Sequence, residues 1–332
     1  MYFKRMYKIN ILTLLFVNLL LVNLVNAQSG GTKVFSFLEL PVSPRSATNG
    51  LHAVSLANPD LFSLIGNPAY ANKSFHNQVQ FSYMSHFADA NYSALAYSYA
   101  YDSTLQLSSS LRYLTYGDFS KYDEFGNETG SFSSYDMGLS FSASKVILTN
   151  LNIAASFTLI RSAIENYTSN GLSITAGAYY LIPSQLITIG LALRDLGFQF
   201  NNFNLYKENI PFDISLGITK RLKYVPFRFT ITSHSLQDWP LKTIYDSKKT
   251  SFWTDLSRHF AFGGEFLFSE NFTIRFGMNK YRSDAIKTEN RIDLSGTAFG
   301  AGFKISRFNI DISRTSFSSI GAQYQLSILT HF

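Results

Sequence analysis

The 332-residue chain has no cysteine, two tryptophans and few charges, with Asp, Glu, Lys and Arg together making up 15% of it. Without cysteine it has no disulfide, no thiolate metal ligand and no lipidated N-terminal cysteine. Beyond the first 27 residues there is no run of 18 or more apolar residues, so no spanning helix is expected there. The six histidines, His52, His76, His86, His234, His259 and His331, stand apart in sequence with no pair at metal-ligand spacing. No Ser, His and acid pattern suggests a nucleophilic triad, so neither an enzyme nor a bound cofactor is expected. His76 and His86 flank the first predicted strand and are expected at its rim.

What is present is apolar and aromatic: 46% hydrophobic residues, 31 Phe, 20 Tyr and a mean hydropathy of +0.02. The first 27 residues form a secretory signal pattern. Lys4, Arg5 and Lys8 precede the apolar stretch Ile9–Val25, and Val25-Asn-Ala27 offers a small-residue cleavage site before Gln28. Removing those three cations lowers the net charge from +6 to +3, too small an excess to imply a nucleic-acid partner. An exported chain with no covalent cross-link must bury enough surface or sit in a membrane.

Residues 28–77 are rich in turns. Pro41, Pro44, Pro59 and Pro68 with Gly50 and Gly66 interrupt every regular element, and this segment is expected to form a plug or hatch in a barrel mouth, with Asn67-Pro68-Ala69 as its motif. From residue 78 to 332 the pattern is one of strands. Apolar side chains recur with period two, as in Phe81/Tyr83, Leu95/Tyr97/Tyr99, Ile153/Ala155/Phe157/Leu159, Leu216/Ile218 and Phe272/Ile274/Phe276/Met278. Fourteen such segments, most of 10 to 13 residues, match the roughly 9–11 residues that cross the hydrocarbon. The predicted fold is all-β, a 14-stranded transmembrane antiparallel barrel with an N-terminal plug.

The connections alternate in length. Even ones are short: Asp102-Ser103, Pro183-Ser184, Ser269–Asn271 and Ser306-Arg307. Odd ones are long, at about 117–131, 197–209, 238–257 and 282–294, with only the first and last tight. Short periplasmic turns and long outer loops are the barrel pattern in the outer membrane of a Gram-negative bacterium, whereas a soluble sandwich has no cause to alternate by parity. The last strand places Tyr324, Leu326, Ile328 and Phe332 on one face, the assembly signal expected of a closing strand that ends on an aromatic residue.

Lumen-facing charges expected from parity are Arg112, Arg161, Arg194, Asp195, Arg228, Glu265, Arg275 and Lys304. They are expected to tie the hatch to the wall, and Arg194 and Asp195, being adjacent, share a face only if a bulge intervenes. In the third loop Asp118, Asp123, Glu124, Asn127 and Glu128 match no calcium-loop spacing, and no metal is expected. Its aromatics suit a partner surface, formed by Tyr116, Asp118, Phe119, Tyr122, Asp123, Phe125 and Asn127.

Tyr116-Gly-Asp-Phe119, Tyr122-Asp123, Phe125–Gly130, Arg194–Gly197, Pro211–Gly217 and Lys220–Arg228 together resemble the PorQ family of the type IX secretion system. The resemblance covers essentially all of the exported chain. The strand number and the Asn67-Pro68-Ala69 hatch are also similar to FadL-type transporter barrels, to which that family is akin. The resemblance implies a non-enzymatic outer-membrane component working with PorU, PorV and PorZ in an attachment complex that joins secreted cargo to lipopolysaccharide, with this chain anchoring PorZ. The other reading is a FadL-like channel for hydrophobic small molecules, which requires an apolar pocket open to the outer face.

Overall fold

The computed structural model describes residues 33–51, 53–87, 89–203, 208–243, 246, 250–286, 294–317 and 321–332. The expected signal, His52 and Ile320 lie outside the described residues. Fourteen strands form one closed antiparallel barrel: β1 (Gln78–Ser85), β2 (Asn91–Ala100), β3 (Leu105–Tyr122), β4 (Glu128–Leu148), β5 (Leu151–Ile164), β6 (Tyr167–Ile182) and β7 (Ile187–Asn201), then β8 (Asp213–Arg221), β9 (Phe227–Ser233), β10 (Phe260–Leu267), β11 (Phe272–Asn279), β12 (Thr297–Ile305), β13 (Phe308–Phe317) and β14 (Gly321–His331). Each strand pairs with its neighbours in sequence, and β14 returns to pair with β1, with Phe81 opposite Ile328 and Tyr83 opposite Leu326. Closure leaves no strand edge to be satisfied in lipid.

The alternation of side chains fixes which face is which. In β2 Leu95, Tyr97 and Tyr99 are exposed, while Ala94, Ala96 and Ser98 are buried. The same holds around the wall: Leu107, Leu111, Phe157, Leu216, Phe276, Tyr324 and Leu326 project outward, and Thr158, Ser215, Gln323, Gln325 and Ser327 project inward. An outer belt of large apolar side chains over a lumen of small polar ones places the chain in the bacterial outer membrane. Phe332 lies just past β14, 79% exposed, and its N–H donates to the Asn77 carbonyl at 3.0 Å.

Strand heights are unequal. β3 and β4 run for 18 and 21 residues, whereas β9, β10 and β11 have only 7, 8 and 8. Three expected connections therefore differ from what forms, the seventh because β7 runs on to Asn201. The stretch 117–131 is mostly strand, because β3 and β4 continue as a hairpin held by the stacked cross-strand pair Phe119 and Phe132, whose ring centroids are 5.3 Å apart. The fifth connection is a tight turn at Glu165-Asn166, since β5 and β6 keep pairing to Ile164 and Tyr167. The ladder continues above the lipid, where nothing enforces alternation, so pattern alone misplaces these boundaries. The ninth and eleventh loops are long and contain the helices Phe252–Arg258 and Lys280–Ile286.

Residues 33–76 do not stop at the mouth. They thread the lumen as short turns, Ser36–Glu39, Pro44–Ala47, Ser63–Gly66, Pro68–Tyr70 and Lys73–Phe75. Phe37, Leu56, Leu61, Phe62 and Tyr70 form its buried apolar core with wall residues such as Met84, Tyr92 and Leu114.

Candidate functional site

The hatch is held to the wall by close backbone approach and by buried charge. Pro68, with its fixed φ and no N–H to satisfy, opens the 3-10 turn Pro68–Tyr70. Asn67 precedes it as cap: its side-chain oxygen accepts from the Ala69 N–H at 3.1 Å, and its Nδ2 donates to the carbonyls of Val54 at 2.8 Å and Ala178 at 3.1 Å. Asn67 and Ala69 are fully buried, and of the three expected hatch residues Asn67 bonds to the wall at Ala178 while Pro68 lies beside Gly177. A side chain at Gly177 would put its Cβ 2.1 Å from Asn67 Oδ1. One step along, the hatch backbone at Val54 and Ser55 lies on Gly190 of the wall and their side chains on Gly217, with Ser55 Oγ 2.9 Å from Thr219 Oγ1 and the Ser55 carbonyl accepting from Thr188.

Opposite, Glu265 on β10 gathers three guanidinium groups. Arg45 of the hatch approaches at 3.1 Å, Arg228 of β9 at 2.7 Å and Arg275 of β11 at 3.0 Å. Arg275 also pairs with Asp311, and Arg45 donates to the carbonyls of Ala57 and Asn58. All of these side chains are buried, so removing one partner strands the others without a counter-charge. Of the expected lumen charges, Arg112, Arg194, Asp195, Arg228, Glu265 and Arg275 do lie inside. Arg161 does not: it shares the face of Leu159 and Phe157, is exposed, and donates to Tyr135 Oη at 3.2 Å. Lys304 borders a polar cavity of about 350 Å³ at the periplasmic mouth, beside Arg45, Asp60 and Arg275. Arg194 and Asp195 do share a face, because both stand opposite Thr175 in a bulge, Asp195 with φ of 54°. Arg194 then pairs with Asp213 at 2.6 Å, and Asp195 accepts from Ser173 at 3.0 Å.

On the outer side a cavity of about 420 Å³ opens between the start of the hatch, the β3–β4 hairpin, β5 and the seventh loop. Its apolar lining is Val34, Phe35, Tyr116, Phe119, Phe132, Ile164 and Phe203, with Ser36, Ser134, Asp136 and Ser162 as polar points and Lys33 and Glu208 as charges at its edge. Tyr116 keeps the inward parity of Arg112 and Leu114, its hydroxyl donating to Asp136 at 2.6 Å, and the bulge at Gly117, at φ of 80° and opposite Ser134, brings the odd-numbered Phe119 to the same face. Ser162 donates to the other oxygen of Asp136. Below the cavity Phe37 of the hatch lies against Gly138 and 5.7 Å from the buried guanidinium of Arg112.

The seven expected partner residues thus divide. Tyr116 and Phe119 belong to this cavity. Asp118 is exposed on the hairpin, and Tyr122 and Phe125 project at 62% and 88% exposure. Asp123 and Asn127 build the turn itself: Asp123 accepts from the side-chain amide of Asn127 at 3.0 Å and from the backbone N–H groups of Asn127 and Phe125. These bonds, that from the Asn127 side chain foremost, hold the Asp123 carboxyl below its usual range. Sequence reasoning missed Phe35, Phe132, Asp136, Ile164 and Phe203. Asp136 carried a signal, being an acid on the inward, small-residue face of β4, and Phe132 is the cross-strand partner of Phe119; Phe35 and Phe203 come from distant loops and carried none.

Two histidines distant in sequence are brought together, His259 Nδ1 lying 2.9 Å from the His234 carbonyl. Among the described residues no group of three or more His, Asp or Glu is placed to hold a metal. In the outer loops Arg258 binds Asp246 at 2.6 Å and Asp284 at 3.0 Å, tying the ninth loop to the eleventh. The hydrogen bond from Arg258 lowers the Asp246 carboxyl, and Asp246 in turn raises Arg258.

No protein-family model matches the sequence, and the curated proteins contain no match to it. Solved structures do match in shape. A TodX deltaS2S3 mutant, titled a monoaromatic hydrocarbon channel, superposes with a TM-score of 0.54 at 13% identity over 87% of this chain and 99% of its own. The P. putida toluene transporter TodX gives 0.52 at 12% identity over 89% and 99%. The Ralstonia pickettii toluene transporter TbuX gives 0.50 at 11% identity over 90% and 100%. At these identities the likeness is one of fold alone.

Proposed function

We propose that this barrel admits small apolar molecules from the cell surface, which first settle in the outer cavity above the hatch. The observation that carries this reading is the aromatic cavity of about 420 Å³, a volume within the usual range for small-molecule sites. The requirement set by the channel reading of the sequence was an apolar pocket facing outward, and Phe35, Phe119, Phe132, Ile164 and Phe203 supply one. The transporters that share the fold are named for toluene and monoaromatic hydrocarbons, which is consistent with that choice of ligand.

The test is binding of labelled toluene to the purified protein, followed by its uptake into proteoliposomes. Phe119→Asp combined with Phe132→Asp removes two aromatic walls and adds charge. At roughly 1.5–3 kcal/mol per aromatic contact, affinity falls by about 100-fold or more. Both positions lie above the lipid belt, so heat-dependent gel mobility stays normal. Unchanged toluene binding by the double variant overturns the assignment.

A second reading rests on the exposed hairpin tip, where Tyr122 and Phe125 stand clear of the barrel. Such a tip suits a protein partner, as expected of a type IX secretion component working with PorU, PorV and PorZ at the lipopolysaccharide surface. Deleting Lys121–Glu128 then releases the partner from a folded barrel. Normal partner retention after that deletion removes this reading and leaves the channel untouched.

A further inference from the structure

The barrel wall is short over three adjacent strands, whereas β1, also of 8 residues, stands alone between neighbours of 10 and 11. β9, β10 and β11, with 7, 8 and 8 residues, tilted as barrel strands are, rise on the order of 20 Å, less than the ~25 Å apolar band of an outer-membrane barrel. The wall at β3 to β7 has no such deficit, each strand there exceeding 13 residues. Above the short wall stands the ninth loop, which holds both tryptophans of the chain. Trp239 and Trp253 are 53% and 73% exposed, and Phe252 between them is 60% exposed. The rings touch in series: Trp239 lies 5.7 Å from Phe252, which meets Trp253 edge-on at 5.5 Å.

We propose that Trp239, Phe252 and Trp253 form a lipid-contacting collar, seated in the outer-leaflet interface, that completes the hydrophobic belt over β9–β11. Three further observations support lipid as the occupant. The patch continues an existing lipid surface: the Leu236 N–H donates to the Ile214 carbonyl on β8, and the helix Phe252–Arg258 runs directly into Phe260, which stacks with the belt residue Phe262. It is also rigid, since Arg258 is bonded to the Leu241 carbonyl and to Asp246 and Asp284, while Trp239 stacks flat on the buried His259 with centroids 4.7 Å apart. Lastly, the exposed run Ser251-Phe-Trp253 carries no charge, whereas the water-facing tip of the β3–β4 hairpin exposes Asp118, Lys121, Asp123, Glu124 and Glu128. Tryptophan, with an apolar body and one N–H donor, is the residue that prefers the boundary between headgroup and acyl chain.

Because the chain has two tryptophans and both are in this loop, its own indole emission reads out the proposal. The full-length protein is reconstituted into phosphatidylcholine vesicles and excited at the red edge of the indole band. The same is done for Trp239→Phe and Trp253→Phe, each of which leaves a single reporter. Folding is checked by heat-dependent gel mobility. Blue-shifted emission, quenched by lipids brominated on the upper acyl chain and spared by aqueous iodide, is the expected result for both single-tryptophan proteins. Emission from either one that iodide quenches and bromolipid does not overturns the collar, and marks the patch as a water-facing surface instead.

Discussion

Among the wall glycines, Gly190 is the one whose added Cβ would press hardest on the hatch, and Gly190→Ala tests whether the hatch is seated by that approach. An added Cβ would stand 1.7 Å from the Val54 carbonyl oxygen and 2.5 Å from its carbon. Both are backbone atoms, so no rotamer change relieves the clash. To regain ordinary contact at 3.4 Å the hatch must retreat by about 1.7 Å. That shift breaks the bond from Thr188 to the Ser55 carbonyl and the contact between Ser55 and Thr219. Two hydrogen bonds at roughly 0.5–1.5 kcal/mol each and overpacking at about 1–3 kcal/mol give a cost of about 2–6 kcal/mol. At tenfold per 1.4 kcal/mol, the displaced hatch becomes at least about 30-fold more populated. Single-barrel conductance in planar bilayers should show frequent open events, and trypsin added from the periplasmic side should cut at Arg45, which is buried in the parent. Gly66→Ala is the control, since its Cβ would meet nothing closer than 3.7 Å. A Gly190→Ala protein as silent and as protease-resistant as the parent would refute the view that backbone contact seats the hatch.

Glu265→Gln leaves Arg45, Arg228 and Arg275 buried around a neutral group, and should lower the thermal stability of the seated hatch by about 3–5 kcal/mol, read by calorimetry in detergent; an unchanged melting profile would show the cluster to be hydrated. Because the folded Asp246 carboxyl titrates below its ordinary value near 4, its bond to Arg258 contributes fully above that pH and is lost as pH falls below it. Hydrogen exchange of the helix Phe252–Arg258 should therefore stay slow at pH 5 and rise only under more acid conditions, and fast exchange at neutral pH would contradict the clamp. Phe332→Ser should reduce the amount of folded barrel in the membrane while each assembled molecule keeps its toluene binding; a loss of binding per folded molecule would tie the terminus to the site instead.

The strand faces were legible because lipid and lumen impose opposite chemistries on alternate residues, and Leu95, Phe157 or Phe276 carry that contrast alone. Loop parity gave orientation, and clustered proline marked where regular structure ends at the hatch. The β3–β4 hairpin was not legible as strand, since above the lipid no second solvent enforces alternation and Gly117, Gly126 and Gly130 resemble ordinary turn residues. Neither was the cluster at Glu265, which joins residue 45 to residues 228, 265 and 275 across most of the chain. The bulge at Arg194-Asp195 was conceivable from two adjacent charges but required the partner Thr175 to define it. The outer cavity is assembled from four separated segments, so its aromatics resembled those of any other loop.

The seam between β1 and β14 has a further bearing, on the order of assembly. Inside it, Gln80 accepts from the Phe62 N–H and donates to Asp60 and Ser327, while Gln325 donates to the Pro41 carbonyl and to Ser82. The two strands that zip the cylinder shut are therefore also two that grip the hatch, and one of them directly follows the hatch in the chain. An empty cylinder would leave these glutamines without their hatch partners. Closing the wall and filling it are thus coupled, and the segment that obstructs the finished pore also serves as the mandrel on which the wall is closed.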